Sequence, residues 1–323
     1  MPLLPAFAVD GGRVPAEMLR MQLWAATAGA TGVVKSTDLK VLPLSVPGGA
    51  VSIRSGGAIM PSLYSSTSTT QSYAVVNDAS VTLDIPPTGS ASGRVDYIIL
   101  RVDDWHHDPA SQQPSDPLNA TYARFIRATN TNLTYPGVVL AKITIPPSTG
   151  TITADMITDL REVAVPRTKR VVRVNPQSTS TTETLSVTGV DGEWFPNIGG
   201  THRVDFPSWA PWVTIRADWL GMWQTAGSTC NVWVEFGDMT GTRFEVRTEK
   251  FAVNTPNTGT DMRTNAVAVG RVWIPYKYRG RSDVTVQMKA QKTAGTTKFD
   301  SMCGVALEMI FDEYADTSSE YGG

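Results

Sequence analysis

Charge and histidine are what this chain has least of. Of 323 residues only 18% are charged, 28 basic and 30 acidic, for a net charge of -2. Soluble chains usually carry about a quarter. A chain this poor in charge relies on Ser, Thr, Asn and Gly for its polar surface, which suits a protein buried in an assembly. The near-neutral balance argues against a duplex DNA binder, which needs a basic surface to release counterions. The three histidines are His106, His107 and His202, so chemistry that draws on imidazole has few candidates. The two cysteines, Cys230 and Cys303, cannot make a disulfide framework and form no CxxC. Each lies in an apolar run, which suits buried thiols; a single bridge is the alternative. No apolar run approaches the roughly 20 residues of a membrane span. The first residues, Met1-Pro-Leu-Leu-Pro-Ala-Phe, lack the basic flank and long apolar core of a secretion signal. Synthesis in a cytoplasm is expected, and the sequons at Asn119 and Asn132 then read as chance.

Hydrophobic residues reach 41%, enough for a real core. One helix is expected: Pro15 suits a first turn, and Met18, Leu19, Leu23 and Trp24 share a broad face before Gly29 and Gly32. Strands follow. Leu39–Leu44, Ala50–Arg54, Ala79–Ile85, Val95–Val102 and Tyr135–Ile145 are separated by turns such as Pro47-Gly48-Gly49 and Ser55-Gly56-Gly57. A polar loop from Asp103 to about Leu118 is long enough to be functional or docked. Residues 163–175 mix valines with Arg167, Lys169, Arg170 and Arg173. They read as a charged linker or a blunted edge strand, with a basic stripe for RNA or a phosphate-rich surface the sharper alternative. The second half reads as about seven strands, Thr184–Thr188, Trp212–Trp219, Cys230–Phe236, Arg243–Val253, Val267–Ile274, Val284–Lys289 and Gly304–Phe311. Val232, Val234 and Phe236 alternate with Trp233 and Glu235, the period of a half-buried strand. The expected fold is mainly β: a β-rich N-terminal domain with one short helix (1–162), a linker (163–175), and an antiparallel, jelly-roll-like sandwich (176–323).

Reactive motifs are scarce. No GxxxxGK[ST], no GxGxxG in a strand-to-helix context and no GxSxG occur. Asp103-Asp104-Trp105-His106-His107-Asp108 is the one ligand-rich stretch. Adjacent histidines on a strand would face opposite ways; in a loop they could share a metal, although a hydrogen-bonded surface loop is the simpler reading. A hydrolase needs only two facing carboxylates, and Asp205, Asp218, Glu235, Glu245 and Glu308 each fit an outward strand position. Seven of the nine tryptophans follow residue 190. Exposed Trp rings suit a sugar face, and Trp194, Trp212 and Trp223 are the candidate glycan contacts; core or subunit-interface packing is the alternative. No residue is assigned to catalysis, a cofactor or a metal.

Several pieces stand in a familiar order. Asp10-Gly11 precedes the helix with Leu19-Arg20. Gly29-Ala-Thr-Gly-Val33 leads to Asp38-Leu-Lys-Val41, and Pro47-Gly-Gly-Ala-Val51 runs into Ser52-Ile-Arg-Ser-Gly-Gly-Ala58. Arg94-Val-Asp-Tyr-Ile-Ile-Leu-Arg-Val-Asp103 precedes the long loop. Tyr135-Pro-Gly-Val-Val-Leu-Ala-Lys-Ile143 leads through Pro146 and Ile152 to Ile157-Thr-Asp-Leu-Arg161. Taken together, most of residues 8–162 resembles the N-terminal region of minor tail and baseplate proteins of siphophages, especially those infecting actinobacteria. The resemblance implies a docking domain of a virion tail tip or baseplate that assembles with copies of itself, a trimer or alternatively a hexameric ring, and with other tail proteins. It supplies no catalytic residues. The second half is similar to tail domains of jelly-roll type in general patterning only. The expected role is therefore structural and non-enzymatic. A receptor-binding protein for host cell-wall glycan is the alternative, and a glycan hydrolase the third reading.

Overall fold

The computed structural model describes residues 15–67, 70–176, 182–197 and 199–315. The protein is mainly β, and its contacts divide it into two compact units that change over between Pro166 and Arg167.

The first unit opens with helix α1, Ala16–Thr27. Pro15 caps it in an extended conformation, and Ala28 (φ 51) and Gly29 (φ 70) end it in left-handed backbone. A Cβ at Gly29 would stand 2.5 Å from the Trp24 indole nitrogen, so the ring lies flat on a residue that only glycine satisfies. The helix buries no side chain fully. Its expected apolar face therefore covers the unit and does not build its core. Ten strands follow: β1 (Gly32–Val33), β2 (Val41–Pro43), β3 (Ala50–Ile53), β4 (Gly56–Pro61), β5 (Ser72–Asn77), β6 (Val81–Asp84), β7 (Arg94–Val102), β8 (Ala123–Ala128), β9 (Gly137–Ile145) and β10 (Ile157–Asp159). They form three antiparallel sheets, ordered β1-β4-β5, β2-β3-β6 and β10-β9-β7-β8. β7 and β9 are apolar on both faces, and Ile98, Leu100, Leu140 and Ile143 sit at the centre of one core with Val51, Ile53 and Met60. The buried Arg161 guanidinium donates to the Ser36 and Asp38 carbonyls, tying the end of β10 to a turn 123 residues earlier. β4, β5 and β8 lie where no strand was expected, and two residues of the turn read at Ser55-Gly56-Gly57 begin β4, paired with Asn77 and Val76. In β8, Arg124 and Arg127 are three apart and break a period of two.

The second unit has twelve strands: β11 (Thr168–Pro176), β12 (Glu183–Thr184), β13 (Glu193–Trp194), β14 (Thr201–Val204), β15 (Trp212–Gln224), β16 (Thr229–Thr240), β17 (Arg243–Arg247), β18 (Phe251–Asn254), β19 (Met262–Trp273), β20 (Val284–Ala294), β21 (Thr297–Phe299) and β22 (Gly304–Asp312). β15 pairs β22 on one flank and β19 on the other, and β11 pairs β22 over its full length. In the facing sheet β20 lies between β14 and β16, and β16 carries β17 and β18 on its other side. With β17 and β18 counted as one broken strand and the two- and three-residue strands β12, β13 and β21 set aside, eight strands are shared between the two sheets. The first, eighth, third and sixth form one, and the second, seventh, fourth and fifth the other. This is the strand order of a jelly roll. Its core holds Val213, Ile215, Ala217 and Trp219 from β15 against Val232, Val234 and Phe236 from β16.

Of the two readings of residues 163–175, a charged linker or a blunted edge strand, the second holds from Thr168: this is the edge strand β11, whose nine residues all find partners on β22. It carries basic residues at positions a central strand could not. The single strand expected over Arg243–Val253 is two, broken where Thr248 turns its hydroxyl onto the Val234 N–H. Both cysteines are free and buried.

Candidate functional site

The three candidate tryptophans do not converge. Trp212 and Trp223 share the outward face of β15, but 11 residues at about 3.3 Å each hold them roughly 36 Å apart. Trp194 lies on β13 in the other sheet, 39% exposed, its ring 6.4 Å from that of Phe244. Trp223 stands alone under the Lys298 ammonium, 4.6 Å from its ring centre. Trp219 is a core residue, and Trp233 is fully buried on the opposite face of β16, beside Glu235. The Trp219 indole donates to the Phe195 carbonyl at 2.7 Å, and Trp233 donates to Glu235 at 2.7 Å.

Only Trp212 belongs to a cluster. It meets Trp273 edge-on at 5.4 Å, its direct neighbour on β19. The Arg271 guanidinium lies over Trp212 (5.0 Å) and Tyr314 (4.5 Å), and Arg279 lies over Trp273 (4.2 Å) and Tyr276 (4.7 Å). Cation and ring thus alternate along one end of the sheet, a surface open to solvent at Arg271, Tyr276 and Tyr314. Sequence reasoning picked out Trp212 and missed its neighbours. Part of the signal was there in Arg271-Val-Trp273, since i and i+2 on a strand share a face; Tyr276 and Arg279 come from the turn that follows.

The outward face of β11-β22-β15-β19 has a second feature. Register places Val172, Glu308, Arg216 and Val269 in one row, and Val174, Ala306, Asp218 and Val267 in the next. The four valines are 39–63% exposed. They flank a polar centre in which Arg170 pairs with Glu308, and Arg216 with Asp218 at 3.1 Å.

The Asp103–Asp108 loop is an ion-pair and hydrogen-bond cluster. Asp103 meets Arg101 at 2.5 Å and Arg124 at 2.6 Å, and Asp108 meets Arg101 at 2.6 Å. Tyr73 donates to Asp104 at 2.9 Å, and Tyr64 to the Val102 carbonyl at 2.6 Å. Burial pushes the Tyr64 phenol up to about 12, and burial together with the Asp104 hydrogen bond raises Tyr73 as well. Burial also pushes Asp108 upward, but donors from Ala110, Ser111 and Arg101 outweigh it and hold the carboxyl below its ordinary range. His107 lies between Arg20 and Ser66, while His106 stacks on Trp105. Among the described residues no group of three or more His, Cys, Asp or Glu is placed to hold a metal ion.

The five strand carboxylates are each engaged elsewhere. Glu245 binds Lys277 and the Tyr278 hydroxyl, and Asp205 accepts from the Asp283 N–H. Glu235 departs from expectation: it faces outward from the core but is fully buried. The β16–β17 hairpin folds over it, donating the Phe244 N–H at 2.9 Å, and Lys289 lies 3.5 Å away with its ammonium on the Thr242 carbonyl. Period-two patterning marks the core face of a strand and is silent about a hairpin that returns over the other face.

No family model matches the chain, and no curated protein matches it. Among solved structures, a particle of the Gt strain of infectious bursal disease virus aligns at 12% identity and a TM-score of 0.24. It covers 89% of this chain and 76% of that one. The VP2 subviral particle of the same virus aligns at 11% identity and a TM-score of 0.22, over 88% and 72%. Superpositions this loose carry no argument; the fold assignment rests on the strand order above.

Proposed function

We propose that the protein is a non-enzymatic structural subunit of a phage tail tip or baseplate. Its first unit docks to other tail proteins, its jelly roll presents a face to copies of itself, and a trimer is the assembly. The ordered resemblance over residues 8–162 supports the tail assignment. The observation that carries the structural role is the outward sheet face with Val172, Val174, Val267 and Val269 in register around paired charges. Apolar flanks around a satisfied polar centre suit a surface that ends buried against another subunit. The test is the mass of the purified chain by light scattering beside the Val172→Glu/Val269→Glu variant. Expected is an oligomer that the variant converts to monomer. A native chain that stays a monomer at every concentration, and turns over cell-wall polysaccharide, overturns the reading.

The Trp212–Trp273–Arg271 cluster favours a second reading, in which the jelly roll contacts host cell-surface glycan. Trp212→Ala with particle assembly intact and adsorption lost supports it. Unchanged adsorption removes it, as it also does for Trp194 and Trp223.

A further inference from the structure

The core of the first unit is open at one place. An apolar cleft of about 570 Å³ is lined by residues 73–77 of β5, Val81 and Leu83 of β6, Leu100 and Val102 of β7, and residues 121–125 leading into β8. Val75, Leu83 and Phe125 are only partly buried there, against the central core. The polar groups around the cleft are already engaged. The Tyr73 hydroxyl donates to Asp104 at 2.9 Å, the Asn77 amide to the Arg54 carbonyl at 3.0 Å, and the Tyr122 hydroxyl to the Pro117 carbonyl at 2.7 Å. An apolar occupant is therefore favoured. The one charge lining the cleft is Arg124, 60% exposed and paired with Asp103 at 2.6 Å.

A side chain that fits stands beside it. The long loop that the sequence marks as functional or docked ends at Leu118, which at 94% is the most exposed large hydrophobic residue among those described. Hydrogen bonds hold this tip in place. The Asp116 carboxylate accepts the Leu118 N–H at 3.2 Å and the Asn119 amide at 2.8 Å, and the Tyr122 hydroxyl fixes Pro117. A leucine on a restrained tip loses less freedom on burial than one on a loose loop. Leu118 and Thr121, which lines the cleft, are separated by at most about 11 Å of chain. Tip and cleft thus lie side by side, and every copy offers both halves of a contact. Charge agrees: Asp116 is the one charged residue of 116–119, opposite in sign to Arg124.

We propose that the Pro117-Leu118 tip of one copy seats in this cleft of a second copy. Leu118 packs on the apolar floor, and Asp116 stays at the mouth near Arg124. A small apolar molecule would fill the cleft but leave the leucine in water, whereas a second copy buries both. A knob and a hole on different patches make a head-to-tail contact, which passes from copy to copy and can close as a ring. The inference rests on the reading of the chain as a self-assembling subunit, and it names one contact that would link the copies.

The experiment follows self-association of the full chain by sedimentation over a range of concentrations. Leu118→Asp alters an exposed tip, and Val75→Arg puts a charge in the cleft. Each should weaken self-association by about tenfold or more, with circular dichroism and melting that match the parent. If Val75→Arg does not fold, Thr121→Arg, at an exposed residue of the lining, replaces it. Mixing the two variants should bring association back above that of either alone, because one keeps an intact cleft and the other an intact tip. A mixture that associates no better than its components overturns the proposal. So does a Leu118→Asp chain that associates as the parent does; if the cleft variant is then weakened, the cleft holds some other occupant. Either result leaves the assembly reading standing. A native chain that stays a monomer at every concentration removes both.

Discussion

The two units put their polar groups in opposite places. In the first, the Arg101–Asp103–Asp108 and Tyr73–Asp104 cluster sits at a long loop beside an open cleft. In the second, Glu235 and Lys289 lie under a hairpin with almost no solvent exposure, beside a closed aromatic core. The difference is one of architecture. A two-sheet sandwich has a single interior and can bury an ion pair only by folding a hairpin over its outer face. Three small sheets sharing one core leave edges and a cleft, where this cluster stays near water, although Arg161 and Asp96 are buried elsewhere in the unit.

That contrast can be broken or sharpened experimentally. The largest effect is expected from Trp219→Ala. It empties the centre of the jelly roll, leaves the Phe195 carbonyl without its donor, and should cost about 3–5 kcal/mol by chemical denaturation. Glu235→Gln should cost nearly as much, about 3–5 kcal/mol, because it leaves the Lys289 ammonium buried without its counter-charge. Glu235→Leu/Lys289→Met should recover only part of that loss, because it also leaves the Trp233 indole and Phe244 N–H donors without their acceptor. If the double variant is as unstable as the single, the pair is more than a buried ion pair.

His202 provides a pH test of the same unit. Burial, with the nearby Arg173 charge second, holds its ring down to about 4 against an ordinary value of 6.5. Above pH 6.5 the ring is neutral folded and unfolded. As pH falls, the unfolded chain takes up the proton first, so stability declines from about pH 6.5 until the folded ring protonates near 4. The loss should reach at most about 3 kcal/mol, and His202→Gln should flatten that part of the profile. The smallest effect belongs to the first unit's cluster. Arg124→Ala breaks the pair with Asp103, but the arginine side chain is 60% exposed, so the cost should stay below about 1 kcal/mol and shrink further in high salt. A cost as large as that of Glu235→Gln would erase the distinction between the units.

How much of this could be read beforehand varies by residue. β15, β16, β20 and β22 were legible because Val232-Trp-Val-Glu-Phe236 and Val284-Thr-Val-Gln-Met288 alternate cleanly. β7 and β9 were legible because they are apolar on both faces. β8 was obscured because an edge strand tolerates charge on positions that periodicity treats as core, whereas β11 was legible as one of two readings. β5 was lost in a Ser/Thr tract. Of the candidate site, Trp212 was found, but the spread of Trp194, Trp212 and Trp223 over two sheets was not, since residue type carries no distance.

What the amino-acid order settled alone is the class of protein: mainly β, with one short helix. These follow from local alternation, turn residues and composition, which act within a few positions along the chain. The pairing of β11 with β22 across some 130 residues, the hairpin closing over Glu235, and the cleft between β5 and β8 were decided only by the tertiary structure. Each depends on which edge meets which, and that choice is made by the packing of distant segments around a shared core.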